Sequence, residues 1–458
     1  MTAPASGPSA GPPQAGPHPL GGSTAVHRGR EANIHHFKPY NVGRWMIWGL
    51  YALVMLVAPM IWSSSLALTM LSQMGIAVIA CLAFNMLLGQ GGMLSFGHAV
   101  YSGMGSFLAI HTLNAVTGGL ALPVSLIPVV GGLAGMAVAL LLGWVTTKKS
   151  ATTFAMITLG VGELVWAMSL MFPEFFGGEG GVSGNRVTGT KPLGISYGPQ
   201  IQLYYLIAIY TFFCTALMFA FTRTPLGRML NAVRDNPERV EFVGYDTQKV
   251  RYIAFVIAAF FAGISGGLAA LNFEIVTSEV VSGQRSGAYL LFTFLGGATF
   301  FFGPIIGAIL MVLAFVLLSE FTKAWLLYLG FIFLFMVMYA PGGVASLIMM
   351  NLRVAMFGHL RRLWVAYVGL GLTALMVLLS AGAMIEMIYH VQLNVAMGPE
   401  VTFLGMRLNS AGLDSWFGSA FMLITSLGLF ELIRRQFLRQ WGDIQQSIEV
   451  EILRRGGL

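Results

Sequence analysis

Apolar runs of about 17–25 residues recur along most of this chain, each long enough to cross a bilayer core of about 30 Å as a helix. In hydrocarbon every backbone N–H and C=O must be paired within the protein, which leaves helices or a closed barrel. Runs of this length are helical. The composition agrees: 56% of the 458 residues are apolar and 9% are charged, more apolar surface than a water-soluble fold of this size can hide. The expected fold is therefore all-α, a polytopic transmembrane helical bundle. Candidate spans fall at 45–62, 66–88, 94–112, 120–147, 151–172, 201–222, 251–273, 287–302, 304–320, 324–349, 363–389 and 416–433. These make about 12 crossings, two of them extra spans near the C-terminus. The runs at 94–112 and 287–302 are glycine-rich and read as broken or re-entrant segments as readily as full spans.

Charge sets the orientation. With the N-terminus in the cytoplasm, twenty of the 25 Lys and Arg residues fall inside and only Arg186, Lys191, Arg285, Lys323 and Arg407 fall outside. Short loops rich in Lys and Arg stay on the cytoplasmic side, so both termini are expected there. The same loops account for the formal net charge of +7 without nucleic acid as a partner; membrane lipid surrounds the chain instead.

Three regions follow. Residues 1–40 are rich in Pro, Gly, Ala and Ser, lack the apolar core of a secretory signal, and are expected to form a disordered cytoplasmic tail. Residues 41–350 carry the main set of spans. Residues 351–458 open with the basic stretch Asn351–Arg362 and form a C-terminal extension with two further spans and a cytoplasmic tail. In its last part, Ile444, Ile448 and Ile452 recur at helical spacing, which suits a short amphipathic helix on the membrane, against a partner, or frayed in water.

Catalytic chemistry finds no foothold. Cys81 and Cys214 sit singly in apolar runs, without metal-ligand spacing. His98, His111 and His390 are isolated, and the histidines before residue 40 are scattered. No Gly-x-x-x-x-Gly-Lys-Ser/Thr loop occurs to cradle nucleotide phosphates. No catalytic residues, metal or cofactor are expected on this chain, which reads as something other than an enzyme.

Four segments stand out. Leu88–Gly105 carries glycine at 89, 91, 92, 97, 103 and 105, which loosens a helix and lets backbones approach. Gln90, Ser95 and His98 can satisfy backbone groups that a break frees. Gln90, Ser95, Gly97 and His98 are the candidate lining of a translocation path or hinge, with close helix packing as the alternative. Glu163, in the run Thr158–Glu163, lies near the middle of its span, where a charge costs at least about 2.5 kcal/mol unless paired or hydrated. It is expected to face the bundle interior or a wet cavity, shaping a substrate route or anchoring packing. The outer loop Phe176–Arg186, with Gly178, Glu179, Gly180 and Ser183, is too glycine-rich for a helix and reads as a gate, a docking surface or a flexible connector.

The fourth segment, Arg223–Arg251, is a polar island between two long apolar runs. Charges at 228, 234, 235, 238, 239 and 241 interleave with Met229, Leu230, Val233, Val240 and Val243 at helical spacing, broken at Pro237. Two short amphipathic pieces ending near Gly244 are expected. Docking of a soluble partner is one reading and a basic loop on lipid the other, although Asp235, Glu238 and Glu241 would be repelled by anionic lipid.

These residues together resemble a known family. The Gly-Gln…Leu-Ser-Phe-Gly-His-Ala run (89–99), the Thr-Leu-Gly-Val-Gly-Glu run (158–163) and Gly227-Arg…Ala232-Val-Arg-Asp-Asn-Pro-Glu238 come first. Gly244-Tyr, Ala254-Phe, Ala262-Gly-Ile-Ser-Gly-Gly267, Leu295-Gly-Gly…Gly303-Pro304…Gly307 and Tyr339-Ala-Pro-Gly-Gly343 follow in order. Over about 45–350 the chain is similar to the permease subunit of high-affinity branched-chain amino acid ABC importers, the larger of that system's two homologous membrane subunits.

The resemblance implies a multi-pass subunit of a bacterial inner (plasma) membrane importer of leucine, isoleucine or valine. Its partners would be a second homologous permease subunit, two ATP-binding subunits that carry ATP and Mg and perform hydrolysis, and a periplasmic substrate-binding protein. It makes Gly227–Gly244 the loop that couples to an ATPase, with Gly227, Arg228, Ala232, Arg234, Asp235, Glu238, Arg239 and Gly244 as its candidate residues. Urea, short amides or other amino acids are alternative substrates within the family. A stand-alone ion-coupled secondary transporter, which would need a relay of intramembrane charges, is the rival of another class, with Glu163 as its support. A scaffold without a path is a third reading.

Overall fold

The computed structural model describes residues 42–149, 151–187, 196–393, 398, 400–403 and 406–454; the tail at 1–40 and Lys191 lie outside them. The chain partitions into two units, Met1–Tyr51 and Ala52–Leu458. Helix α1 (Val42–Ile61) begins in the first, whose described residues are all helical.

The second unit continues with α2 (Ser65–Asn85), whose first turn is capped by the Ser64 hydroxyl accepting Ala67 N–H at 3.3 Å. Its end widens into a π-turn, Met86–Gln90. An irregular stretch leads to α3 (His98–Thr117), then α4 (Ile127–Thr146), α5 (Ala151–Met171) and the single turn α6 (Pro173–Phe176). Strand β1 (Val182–Ser183), α7 (Gln200–Arg223), α8 (Pro225–Asp235), α9 (Pro237–Phe242) and α10 (Thr247–Phe273) follow. Strand β2 (Ile275–Val276) pairs antiparallel with β1. A 3-10 turn at Ser278–Val281 precedes α11 (Gly283–Gly296) and α12 (Gly303–Leu313). After a second π-turn come α13 (Ser319–Phe321), α14 (Trp325–Tyr339) and α15 (Gly343–Met356). Helix α16 (Leu360–Leu393), the hairpin of β3 (Glu400–Phe403) and β4 (Met406–Asn409), and α17 (Leu413–Arg454) complete the chain.

Among the described residues, seven helices are long and apolar enough to cross a membrane, and eight if α14 and α15 form one bent span. Twelve crossings require α1, α3, α11 and α12 to be counted as well. Helix α3 has the length but carries His98, Ser102, Ser106, His111 and Asn114. Helix α11 has 14 residues and so spans only about 21 Å; it is a half-length helix followed by irregular chain at 297–302. The run 324–349, expected as one span, is two helices bent by 49°, because Pro341 removes a backbone donor and Gly343 sits at φ +70°.

Three helices form the centre. Gly105 of α3, Gly131 and Gly135 of α4, and Gly263 and Gly267 of α10 meet backbone to backbone. A Cβ on Gly105 would lie 2.6 Å from Gly263 Cα, and one on Gly135 would lie 2.6 Å from the Ala259 carbonyl oxygen. Lipid tails are as apolar as leucine, so such close van der Waals approach is what binds helices in a bilayer.

The extension has its own small core of Val354, Leu363, Ile444 and Ile448, flanked by Phe437 and Trp441. The segment after Trp441 is not a separate amphipathic helix or a frayed end: it is the last part of the 42-residue α17. Ile444 and Ile448 are spent on α15 and α16 of the same chain.

Candidate functional site

The polar island folds as two capped helices. The Thr224 hydroxyl accepts Gly227 N–H at 3.2 Å to start α8, and the Asn236 side chain accepts Arg239 N–H at 3.0 Å to start α9. Pro225 and Pro237 occupy first-turn positions, where their missing N–H costs nothing. Gly244 closes α9 at φ +92°. The Asp246 carboxylate then accepts Lys249 N–H at 3.1 Å to open α10.

That backbone hydrogen bond, with the Lys249 ammonium beside it, holds the Asp246 carboxyl below its ordinary value. A lowered folded-state value means stabilisation that is present above the ordinary carboxylate range and lost as pH falls through the lowered value. Asp246→Ala is therefore expected to lower the thermal midpoint at neutral pH. The gap to the parent should close in acid, as measured by melting across a pH series.

One side of α8 faces the bundle. Leu230 and Val233 are buried, and the Asn231 amide donates to Gln90 Oε1 at 2.9 Å and to the Gly227 carbonyl at 3.2 Å. The Arg234 guanidinium donates to the Gly89 carbonyl and to Asp235 Oδ1, the latter at 2.9 Å. Its stem lies over Gly92, where a Cβ would come within 2.7 Å of Arg234 Cγ; Gly92 itself has φ +64°. The π-turn frees carbonyls that a regular helix would use, and Arg234 caps one of them. Two segments expected separately, the glycine-broken run and the charged island, are thus one constellation.

The other side is open. Arg228, Ala232, Asp235, Glu238, Arg239 and Gly244 are exposed. At the turn closing α9, Phe242 is 90% exposed, Val243 70% and Tyr245 50%.

The hinge candidates are buried in the break. Ser95 and His98 are fully buried, and Ser95 Oγ, Asn85 Oδ1 and both His98 ring nitrogens have no hydrogen-bond partner among the described residues. Phe84, Tyr101 and Tyr289 surround the imidazole at 5.2–6.4 Å between ring centres. Gly97 packs on the backbone of Thr158, whose hydroxyl accepts Phe96 N–H at 3.2 Å. A buried polar group left unpaired costs about 1–3 kcal/mol, so these atoms are the ones in the break that call for a hydrogen-bond partner. Glu163 is placed otherwise than in the interior of this chain's bundle. It lies on an exposed face of α5, where a Cβ on Gly283 would be 3.1 Å from its Oε1.

At the far end of α10, Gly178–Gly180 form a 3-10 turn and Ser183 lies in β1. Gly177, Gly178 and Gly181 all have positive φ. The loop is tied to the bundle: the Asn114 amide donates to the Ser183 carbonyl at 2.9 Å, and a His111 ring nitrogen lies 2.7 Å from the Phe175 carbonyl oxygen. Arg186 anchors it further. The guanidinium donates to the carbonyls of Tyr197, Leu271, Asn272 and Gly198 and to Gln200 Oε1, all within 3.3 Å. Asn231 is not singled out in the sequence, while Gly92 is named only among the glycines of its run and Arg186 only as an outer cation in the glycine-rich loop. The positive φ of Gly92 has no sequence signal, and Asn231 is one polar residue among many in the island. Arg186 did carry a signal, as one of five outer cations.

A polytopic bundle with helices broken at glycine, and with a charged helix pair hooked onto the break, is the build of a multi-pass membrane protein. The chain belongs to the family described as the branched-chain amino acid transport system / permease component, whose family model matches residues 66–341. It is 27% identical over 279 residues to the high-affinity branched-chain amino acid transport system permease protein LivM of Escherichia coli (strain K12), covering 56% of this chain and 64% of that protein. The LivM permease protein of Salmonella typhimurium (strain LT2) matches with the same identity and coverage. The match thus spans less than two thirds of these relatives' own length. No solved structure matches the chain.

Proposed function

We propose that this chain is a membrane-spanning subunit of an ATP-driven importer, moving branched-chain amino acids inward across a bacterial inner membrane. Family membership supports the class of cargo. The observation that carries the mechanism is the hook of α8 on the π-turn, through Asn231 on Gln90 and Arg234 on Gly89. The exposed side of α8 and α9 is the surface an ATP-binding subunit grips, with Arg228, Ala232, Asp235, Glu238 and Arg239 as its contacts and Gly227 and Gly244 setting its ends. Closure of two such subunits on ATP pulls α8, which moves the glycine-broken segment at Gln90–His98 and opens the bundle to the opposite side. ATP and Mg belong to those partners. A second homologous permease covers the exposed face of α5 around Glu163, and a periplasmic binding protein delivers the substrate at the end carrying Gly178–Ser183. Both termini lie in the cytoplasm.

Reconstitution tests this reading. Proteoliposomes holding the chain with its second permease, ATP-binding subunits and binding protein should take up leucine only when ATP is supplied. Full uptake by the chain alone under an ion gradient overturns the proposal in favour of a secondary transporter.

A further inference from the structure

A cavity of about 210 Å³ lies at the end of α10 remote from α8, between Ala269 and Phe273 of α10, Ile275 of β2, Thr277 and Glu279 of the following turn, and Arg285 of α11. Its polar equipment is specific. The Arg285 guanidinium lies against one face of Tyr289, 5.8 Å from the ring centre. Its Nε is buried without a hydrogen-bond partner among the described residues. A guanidinium with an unspent donor at the wall of a small cavity is suited to a carboxylate. Glu279 lines the same cavity from an exposed position and supplies the opposite charge.

Size and charge narrow the ligand. Liquid water occupies about 30 Å³ per molecule, so the cavity holds the equivalent of about seven waters, room for a solute of fewer than about ten heavy atoms. A plain carboxylate would satisfy Arg285 and leave Glu279 facing an anion. A plain amine would do the reverse, and uncompensated charge at a partly dry site is costly. A zwitterion satisfies both. The rest of the wall is mainly apolar, with Ala269, Phe273 and Ile275 among its members and Ser106 and Thr277 its hydroxyl groups.

We propose that this cavity binds a small zwitterionic α-amino acid with an apolar side chain, its carboxylate on Arg285 and its ammonium on Glu279. The assignment rests on the proposed import function and locates a substrate site within the membrane subunit itself. It sits at the end where a delivered substrate enters, and it is mechanically placed. Ser286, next to Arg285, accepts the Ala99 N–H at 2.9 Å, so the cavity wall is joined to the start of α3 and the broken segment before it.

The test is binding of tritiated leucine to the full chain with its membrane partners in lipid nanodiscs, without the binding protein, in a scintillation proximity assay. Saturable binding is expected, with isocaproate (no amine) and isopentylamine (no carboxylate) each competing at least about tenfold more weakly than leucine. Arg285→Gln should weaken binding by about tenfold or more, and Glu279→Gln several-fold. Ala269→Phe, which fills the cavity from its α10 side, should abolish it. Should Arg285→Gln fail to fold, Glu279→Gln and Ala269→Phe decide. Absent saturable binding, binding indifferent to the substitutions, or isocaproate competing as well as leucine overturns the site. The two proposals fail distinguishably: ATP-driven uptake unaffected by Ala269→Phe removes the cavity and keeps the importer, whereas leucine binding with ATP-independent uptake keeps the cavity and removes the coupling.

Discussion

Gly263→Leu is expected to yield no folded protein, and Gly263→Ala a protein less stable by on the order of 3 kcal/mol. A Cβ at Gly263 meets the Gly131 carbonyl oxygen, with Gly132 Cα at 2.9 Å and Gly131 carbonyl carbon at 3.0 Å. Every one of these is a backbone atom, so no rotamer change makes room. Helices α4 and α10 must separate, and with them the contact of α3, since Gly105 packs so closely on Gly263 that a Cβ added to it would lie 2.6 Å from Gly263 Cα. Separation forfeits the close packing that holds helices together in lipid. The control is Gly442→Ala in α17, where an added Cβ meets nothing within 4 Å. There alanine should be neutral or stabilising by up to about 1 kcal/mol. Size-exclusion profiles in detergent and thermal midpoints separate the cases. Equal midpoints for Gly263→Ala and Gly442→Ala would show that the three helices do not meet as described.

Much of this architecture was legible in the sequence, because the signals that carry it are local. An apolar run, two amphipathic pieces ending near Gly244, and a break at Pro237 can each be read from about twenty neighbouring residues. Gly131/Gly135 and Gly263/Gly267 stand four residues apart, the small-xxx-small spacing of helix contacts, but the spacing does not say which pairs meet. What escaped depends on residues far apart in the chain. Arg234 reads as one more charge on a polar surface until Gly89 is known to lie beneath it. Arg186 reads as a loop cation until Leu271 and Asn272 present their carbonyls. Glu163 was placed by the cost of a buried charge, a cost that says the carboxylate needs cover but not whether this chain provides it. The bend at Pro341 was masked by apolar residues on both sides, which kept the hydropathy high across the break.

Arg234→Ala should uncouple transport without detaching the ATP-binding subunits, and this separates it from substitutions on the opposite side of the same helix pair. Arg234 and Asn231 turn toward the π-turn, while Arg239 and the 90% exposed Phe242 turn away. If the island is a handle, the inner contacts transmit and the outer ones grip. Coupling energies between linked sites run about 1–3 kcal/mol, or about 5–150-fold, so leucine uptake should fall at least about tenfold in Arg234→Ala while the ATPase subunits still copurify and hydrolyse ATP. Phe242→Asp together with Arg239→Glu should instead lose the ATPase subunits on purification. Asn231→Ala and Gln90→Ala each remove one side of the Asn231–Gln90 hydrogen bond, worth about 1 kcal/mol, and Asn231→Ala also loses the bond to the Gly227 carbonyl. The double variant should therefore be no worse than Asn231→Ala alone, a non-additivity that identifies the contact itself. The quantity to measure is leucine imported per ATP hydrolysed. If inner and outer variants both shed the ATPase subunits, the Arg234 hook is part of the grip, and the π-turn does not transmit the stroke.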